Sequence, residues 1–314
     1  MSESSESEAV LIDPEEKRPG AGPDGAGESG LRESDHTRKE MLDVVKRSPA
    51  AVAAKDRDAW VAIFAAYNIV EDPVGSAPHI SGVYDPRSGK RGNGPLERFF
   101  DTFIAPNGIE FHVERDIVNG YHVMRDMTID ISMSPTVRVK VPMHALYVLG
   151  EQGGSLRVFR LAAHWELVPM VKQALSFGGA SLAVMAALGW RMLRIQGLAG
   201  IWGFCRGVRT VGQRGKHTVE AFATAFNAGD RAGMETLFDS HLSGVSWPAP
   251  GRRVAVSEFM QQASGQLSWT KVLVSGHVVT ASCAWTDGGR VRHGVVVFEF
   301  TRQRKIDRVS AYWE

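Results

Sequence analysis

Two adjacent carboxylates, Glu71 and Asp72, sit inside the run Val70-Glu71-Asp72-Pro73-Val74-Gly75-Ser76. Proline restricts the residue before it to extended backbone, so Asp72 has a fixed direction at the end of its segment. Two readings of that carboxylate stand. Sheltered from water, it could accept a proton and give it back; exposed, an Asp-Pro pair simply begins a turn, its commonest use. Glu71, beside it, is expected to point to solvent. Tyr67, His79, Tyr121 and His164 are further polar groups that could share a pocket with Asp72, although spacing alone does not aim them. Trp165 and Phe100 are candidate walls for a flat apolar ligand, and plain aromatic core is the equal alternative.

Other chemistries find no support in the chain. There is no P-loop, no G-x-G-x-x-G following a strand, no Cys/His set with zinc spacing and no G-x-S-x-G elbow, so no metal, nucleotide or other cofactor is expected. The formal net charge of +1 gives no general case for nucleic acid as a partner. The two cysteines, Cys205 and Cys283, lie far apart and suggest no disulfide framework, which fits a reducing cytoplasm. Residues 1–37 are Ser/Glu- and Gly-rich, lack the basic and apolar regions of a secretory signal, and read as a disordered tail.

Elements that could position Asp72 follow in order. Apolar residues recur at helical spacing over 37–64, with Pro49 admitting a kink. Loops marked by Pro73, Pro78, Pro86 and the glycines of 89–94 lead to a third helix over 96–104. From Ile109 the period changes to two, giving strands over 109–114, 121–133, 136–149 and 156–166, with a hairpin turn at 150–154. Three helices followed by long antiparallel strands form an α+β pattern.

The segment 167–219 has a different character. It contains no Asp or Glu and seven Lys/Arg, with an uncharged run over 173–190. Three readings remain: an amphipathic helix attracted to anionic lipid over 170–209, a helical hairpin packed internally or on a second copy, or a spanning helix at the lower limit of length. From Lys216 the chain begins again. Helices over 218–238 and 256–263 precede strands over 271–286, 290–302 and 305–313. The ending Asp307-Arg308-Val309-Ser310-Ala311-Tyr312-Trp313-Glu314 parallels Phe159-Arg160-Leu161-Ala162-Ala163-His164-Trp165-Glu166, an internal repeat.

The Val70–Ser76 run resembles the Δ5-3-ketosteroid isomerases, a branch of the NTF2-like and SnoaL-like superfamily. The resemblance extends to Ala50-Ala51-Val52-Ala53-Ala54-Lys55-Asp56-Arg57-Asp58-Ala59-Trp60-Val61-Ala62-Ile63-Phe64, to Gly94-Pro95-Leu96-Glu97-Arg98-Phe99-Phe100 and to a central strand over 139–149, covering roughly residues 40–167. Ala225-Phe226-Asn227-Ala228-Gly229-Asp230 and Thr236-Leu237-Phe238 resemble the superfamily's opening helices a second time. The resemblance implies a curved sheet wrapped on helices around an apolar cavity, with Asp72 as the catalytic base and two donors holding an enolate oxygen. Here the chain departs from the family. Counted without gaps, the family's helical Tyr falls on Ser48, and its second donor, a strand Asp, falls on His144. His144 could donate in either protonation state, or be a strand histidine satisfied by local partners. In the second half the base position falls near Ser246-Trp247-Pro248, with no carboxylate, and the strand donor falls near Val296.

The expectation is therefore an α+β chain of two tandem NTF2-like domains, 38–168 and 217–314, joined by a basic apolar helical linker over 169–216. The first would bind a steroid-like or polyketide-like molecule and isomerise a ketone without a cofactor, using Asp72 and His144, with Ser48, Tyr67, Phe100, Tyr121 and Trp165 against the substrate. The alternatives are a non-catalytic or membrane-attached binding module and a SnoaL-like cyclase. The protein would be cytoplasmic, free or peripheral to a membrane, and either a homodimer or an internal pseudo-dimer.

Overall fold

The computed structural model describes residues 36–82, 84–85, 90–91, 94–240 and 242–314, with backbone alone at 84–85 and 90–91. Apart from its last two residues, the segment read as a disordered tail lies outside them. Helix α1 (Arg38–Ala54) begins where Thr37 and Glu40 close a capping box, the Thr37 hydroxyl accepting from the Glu40 amide and the Glu40 carboxylate accepting from the Thr37 amide. Its buried residues Met41, Val44, Val45, Ser48, Ala51 and Val52 recur three or four apart, which gives one inward face. Pro49 is carried inside the helix.

Helix α2 (Arg57–Val61), capped by Asp56, is shorter than its spacing suggested. Phe64 does not end it but opens strand β1 (Phe64–Glu71), because Ile69 and Val70 belong to a ladder whose parallel pairing outweighs the helical period. Strands β2 (His79–Ser81), β3 (Tyr84–Asp85) and β4 (Lys90–Arg91) follow, then α3 (Gly94–Phe99), which runs into a π-helical turn, Phe100–Ile104. Four long strands complete the first sheet: β5 (Gly108–Asn119), β6 (His122–Ser132), β7 (Arg138–Gln152) and β8 (Ser155–His164).

Helices α4 (Leu167–Leu175) and α5 (Gly179–Cys205) come next, α5 being broken at Gly197, whose φ of 71° no side chain readily adopts. The chain then repeats itself with α6 (Gly212–Ala228), α7 (Arg231–Leu237), β9 (Gly244–Ser246), β10 (Val254–Ala255), α8 (Val256–Gln262), β11 (Gln266–Ser275), β12 (Val278–Asp287), β13 (Arg290–Phe300) and β14 (Ile306–Trp313). What the sequence suggested as one strand over 271–286 is the pair β11 and β12, turned at Gly276-His277.

The two six-stranded sheets have the same topology. Their orders are β2-β1-β8-β7-β6-β5 and β10-β9-β14-β13-β12-β11, each with one parallel pair, β1 with β8 and β9 with β14. One face of each sheet packs on its own helices, forming two separate apolar cores. The opposite faces meet in a third cluster, where Ile117, Met124, Leu146 and Ala162 pack against Val295, Val297 and Tyr312.

Candidate functional site

Strand alternation aims Asp72. Val70 is fully buried in the first core, and a side chain two residues on lies on the same face, so Asp72 follows it inward. Glu71 takes the other face, where Arg160 Nε and Nη2 donate to its Oε2 at 2.8 and 2.7 Å, so it is ion-paired rather than free in solvent. Trp165, one residue beyond β8, donates its indole N–H to Asp72 Oδ1 at 2.6 Å. Asp72 keeps some accessible surface but is surrounded by protein. Burial pushes its carboxyl up to about 6, against the opposing pull of the Trp165 hydrogen bond.

The second group at this site is one the sequence reading missed. Val139, Val141, Met143, Ala145, Tyr147 and Leu149 form the inward face of β7, and Tyr147 is the one phenol among them. Burial raises its pKa and the Asp72 charge adds to the rise, so at neutral pH it is a hydrogen-bond donor. The Ser48 hydroxyl on α1 opposes part of that rise and accepts from Trp60 Nε1 at 3.1 Å. The position where the resemblance placed a helical tyrosine thus holds a serine near a tyrosine that reaches in from the sheet. Strand alternation, carried from Val139 to Leu149, was the signal that could have found Tyr147.

The structure does not bring His144 to Asp72. Met143 and Ala145 on either side of it face the first core, so His144 points to the opposite face, between the two sheets. There its Nδ1 lies 2.7 Å from Thr280 Oγ1 and its Nε2 lies 2.7 Å from Ser282 Oγ, while Ser282 donates to Asp126 Oδ2 at 2.7 Å. Burial lowers the His144 pKa, and a neutral ring fits one continuous chain: Thr280 O–H to Nδ1, Nε2–H to Ser282, Ser282 O–H to Asp126. It is the locally satisfied strand histidine.

The remaining candidates scatter. Tyr67 is exposed on β1, and Tyr121 lies at the β5–β6 turn beside Leu149 and His36. Phe100 fills the core against Trp60, with ring centroids 5.8 Å apart. His164 faces His144 across β7 and β8, and burial takes its pKa down to about 3. Among the described residues no group of three His, Cys, Asp or Glu is arranged to hold a metal ion.

The broken end of α5 packs on the loop that follows Asp72 and on the turn after α3. The Ala77 amide donates to Gly203 O at 2.9 Å, and Phe204 stacks on Phe103 at 5.3 Å. A cavity of about 440 Å³ lies beside these contacts, lined by Ser76, His79, Ile80, Pro95, Arg98, Gln196 and Phe204 among others, without Asp72. Burial and the nearby Arg98 push the His79 ring down to about 4, so it is neutral there.

The second sheet shows what the first has kept. Glu71 pairs with Ala162 as Ser246 pairs with Ser310, and the amides of Val74 and Ala249 donate to Ala163 O and Ala311 O. By that register Trp247 occupies the place of Asp72 and Trp313 the place of Trp165. Tyr147 pairs with Leu161 as Phe298 pairs with Val309, so Phe298 takes the place of Tyr147. Trp247, Trp285 and Trp313 then fill that interior, with ring centroids 4.8 to 5.6 Å apart. Asp72, Tyr147 and Trp165 of the first site are thus matched by an indole, a phenyl ring and an indole in the second.

No family model matches the chain, and no curated protein does. Solved structures do. A computationally designed 17-OHP binder is 22% identical, matching 42% of this chain and 95% of its own at a TM-score of 0.34. The Δ5-3-ketosteroid isomerase from Mycobacterium sp. is 24% identical over 41% and 95%, at 0.33. An LEH-like epoxide hydrolase from M. tuberculosis is 18% identical over 46% and 96%, at 0.35. These proteins bind or transform different molecules. Two six-stranded sheets of identical strand order, each closed by its own helices, give the chain a tandem α+β fold.

Proposed function

We propose that the first sheet and its helices bind an apolar, steroid-like ketone and isomerise it without a cofactor. Asp72 takes a proton from the carbon beside the carbonyl, the electron pair moves onto the carbonyl oxygen as an enolate, and the same carboxyl returns the proton further along the conjugated system. Tyr147, supported by Ser48, donates to the enolate oxygen in place of the family's helical tyrosine, and Trp165 orients the carboxylate. No net oxidation occurs and no group leaves.

The observation that carries this reading is the contrast between the halves: Asp72 and Tyr147 stand where the second sheet has Trp247 and Phe298. A carboxyl held near pH 6 in an apolar interior is suited to general base work and is costly to keep for packing alone. In this reading residues 38–168 hold the ligand, 169–216 cover the entrance and 217–314 buttress the sheet.

A second reading, a binding module without chemistry, is favoured by one observation: the 440 Å³ cavity is not lined by Asp72. A SnoaL-like cyclisation would share the first proton transfer. A steroid phenol separates these, because it mimics the enolate and needs a donor beside Asp72. It should bind the wild type and lose about tenfold in affinity in Tyr147→Phe. Equal affinity would favour the carrier.

A further inference from the structure

We infer that α5 is a docking surface for an anionic lipid bilayer, lying in the plane of the headgroups rather than crossing. Among the described residues no helix is long and apolar enough to cross a membrane. Yet α5 carries four of the five most exposed large apolar side chains among the described residues: Leu182 is 66% exposed, Trp190 65%, Leu198 76% and Trp202 70%. Such a surface on a folded chain marks an interaction site.

The helix is apolar on both sides. Ser181, Met192 and Gly203 are buried, and Met185 and Phe204 pack on the first core, so this side is already satisfied. Leu182, Ala186, Trp190 and Leu193 fall four, four and three residues apart, one stripe on the other side. After the break at Gly197, Leu198 and Trp202 continue with the same spacing. A helix facing only water would carry polar residues along that stripe.

Charge selects the occupant. From residue 167 to 219 there is no Asp or Glu, and Arg194 in α5 and Arg206 and Arg209 just after it are exposed. A second copy of α5 would set these arginines against one another with no carboxylate of the segment to answer them. An anionic bilayer supplies countercharge along the whole length, takes Leu side chains into its acyl boundary and suits indoles at headgroup depth.

The test uses the full chain and flotation with vesicles of phosphatidylcholine alone or with a third of phosphatidylglycerol. Wild type should float with the anionic vesicles and be released by salt. The exposed double variant Trp190→Glu/Trp202→Glu should stay behind while melting as wild type does. Replacing Arg194, Arg206 and Arg209 with Gln should weaken partitioning by roughly a hundredfold. Absence of flotation, or flotation unchanged in both variants, overturns the inference. So does a lipid-free dimer in sedimentation that Trp190→Glu/Trp202→Glu dissociates, which would assign the stripe to a second copy.

Discussion

Trp247 occupies, in the second sheet, the register position that Asp72 occupies in the first. The two residues divide the roles of the halves. Packed indoles add to burial and cohesion, whereas a carboxyl in the same place loses hydration and must be compensated. The second half also holds the Asp72 loop from outside: Ser275 Oγ donates to Val74 O at 2.7 Å, and Gly75 lies against Gly276, backbone to backbone.

Asp72 should make stability fall as pH rises. In the unfolded chain it releases its proton near the ordinary carboxylate value, while in the folded chain it keeps it to about 6. Between those values the folded form binds the extra proton, so stability declines across that window and is level above it. Partial exposure reduces the effect to roughly 1–2 kcal/mol. Urea denaturation at pH 4 and pH 8 should show Asp72→Asn gaining on wild type by that amount at the higher pH; parallel behaviour would mean an ordinary carboxyl.

Tyr147→Phe removes one hydroxyl and little volume. If its phenol meets the enolate, turnover should drop by about 10²–10³-fold with KM little changed. Thermal melting should move only slightly. A variant that keeps full turnover would shift the donor role to another group.

His144 is structural, so His144→Gln should lower stability by about 1–3 kcal/mol and leave turnover intact. Its neighbour Asp126 is ion-paired with the half-buried Lys271 and lies 3.3 Å from His144 Nε2. Burial opposes its ionisation, yet His144, Lys271 and Ser282 together hold its carboxyl well below the usual range. That stability is present at neutral pH and is lost as pH falls below the ordinary carboxylate value. Asp126→Ala, which leaves Lys271 with Glu114 and the Met127 carbonyl alone, should cost about 1–3 kcal/mol in denaturant melts. A neutral substitution there would contradict the assignment.

Gly276→Ala would place a Cβ 2.6 Å from Gly75 Cα, at a φ of +60°. Gly288 has a similar φ of +53° with nothing near its Cβ. Gly276→Ala should therefore destabilise by about 1–3 kcal/mol, clearly more than Gly288→Ala. Equal losses would show that the contact contributes nothing.

The tandem fold was legible because the endings of β8 and β14 repeat and the periods switch at the same points in both halves. The aim of Asp72 was legible from Pro73. His144 was misplaced because an ungapped count fell one residue from the inward face, and with a period of two a single step reverses the side. Ser48 was legible as a position but not as a support, since its partner Tyr147 lies 99 residues away and belongs to no motif. The β11–β12 turn escaped because Gly276-His277 sits between Val274 and Val278 without a strong turn signal. The second helix was drawn too long because Trp60, Val61 and Phe64 satisfy a helical period as well as the entry to a strand.

The most direct measurement is an ultraviolet assay of 5-androstene-3,17-dione conversion to the conjugated enone, with wild type beside Asp72→Asn. The proposed mechanism predicts turnover in wild type that rises with pH through about 6, and its loss in the mutant, by orders of magnitude, with the fold retained. Turnover that survives in Asp72→Asn, or wild type that binds the steroid without converting it, would contradict the claim that Asp72 is the base of a steroid isomerase.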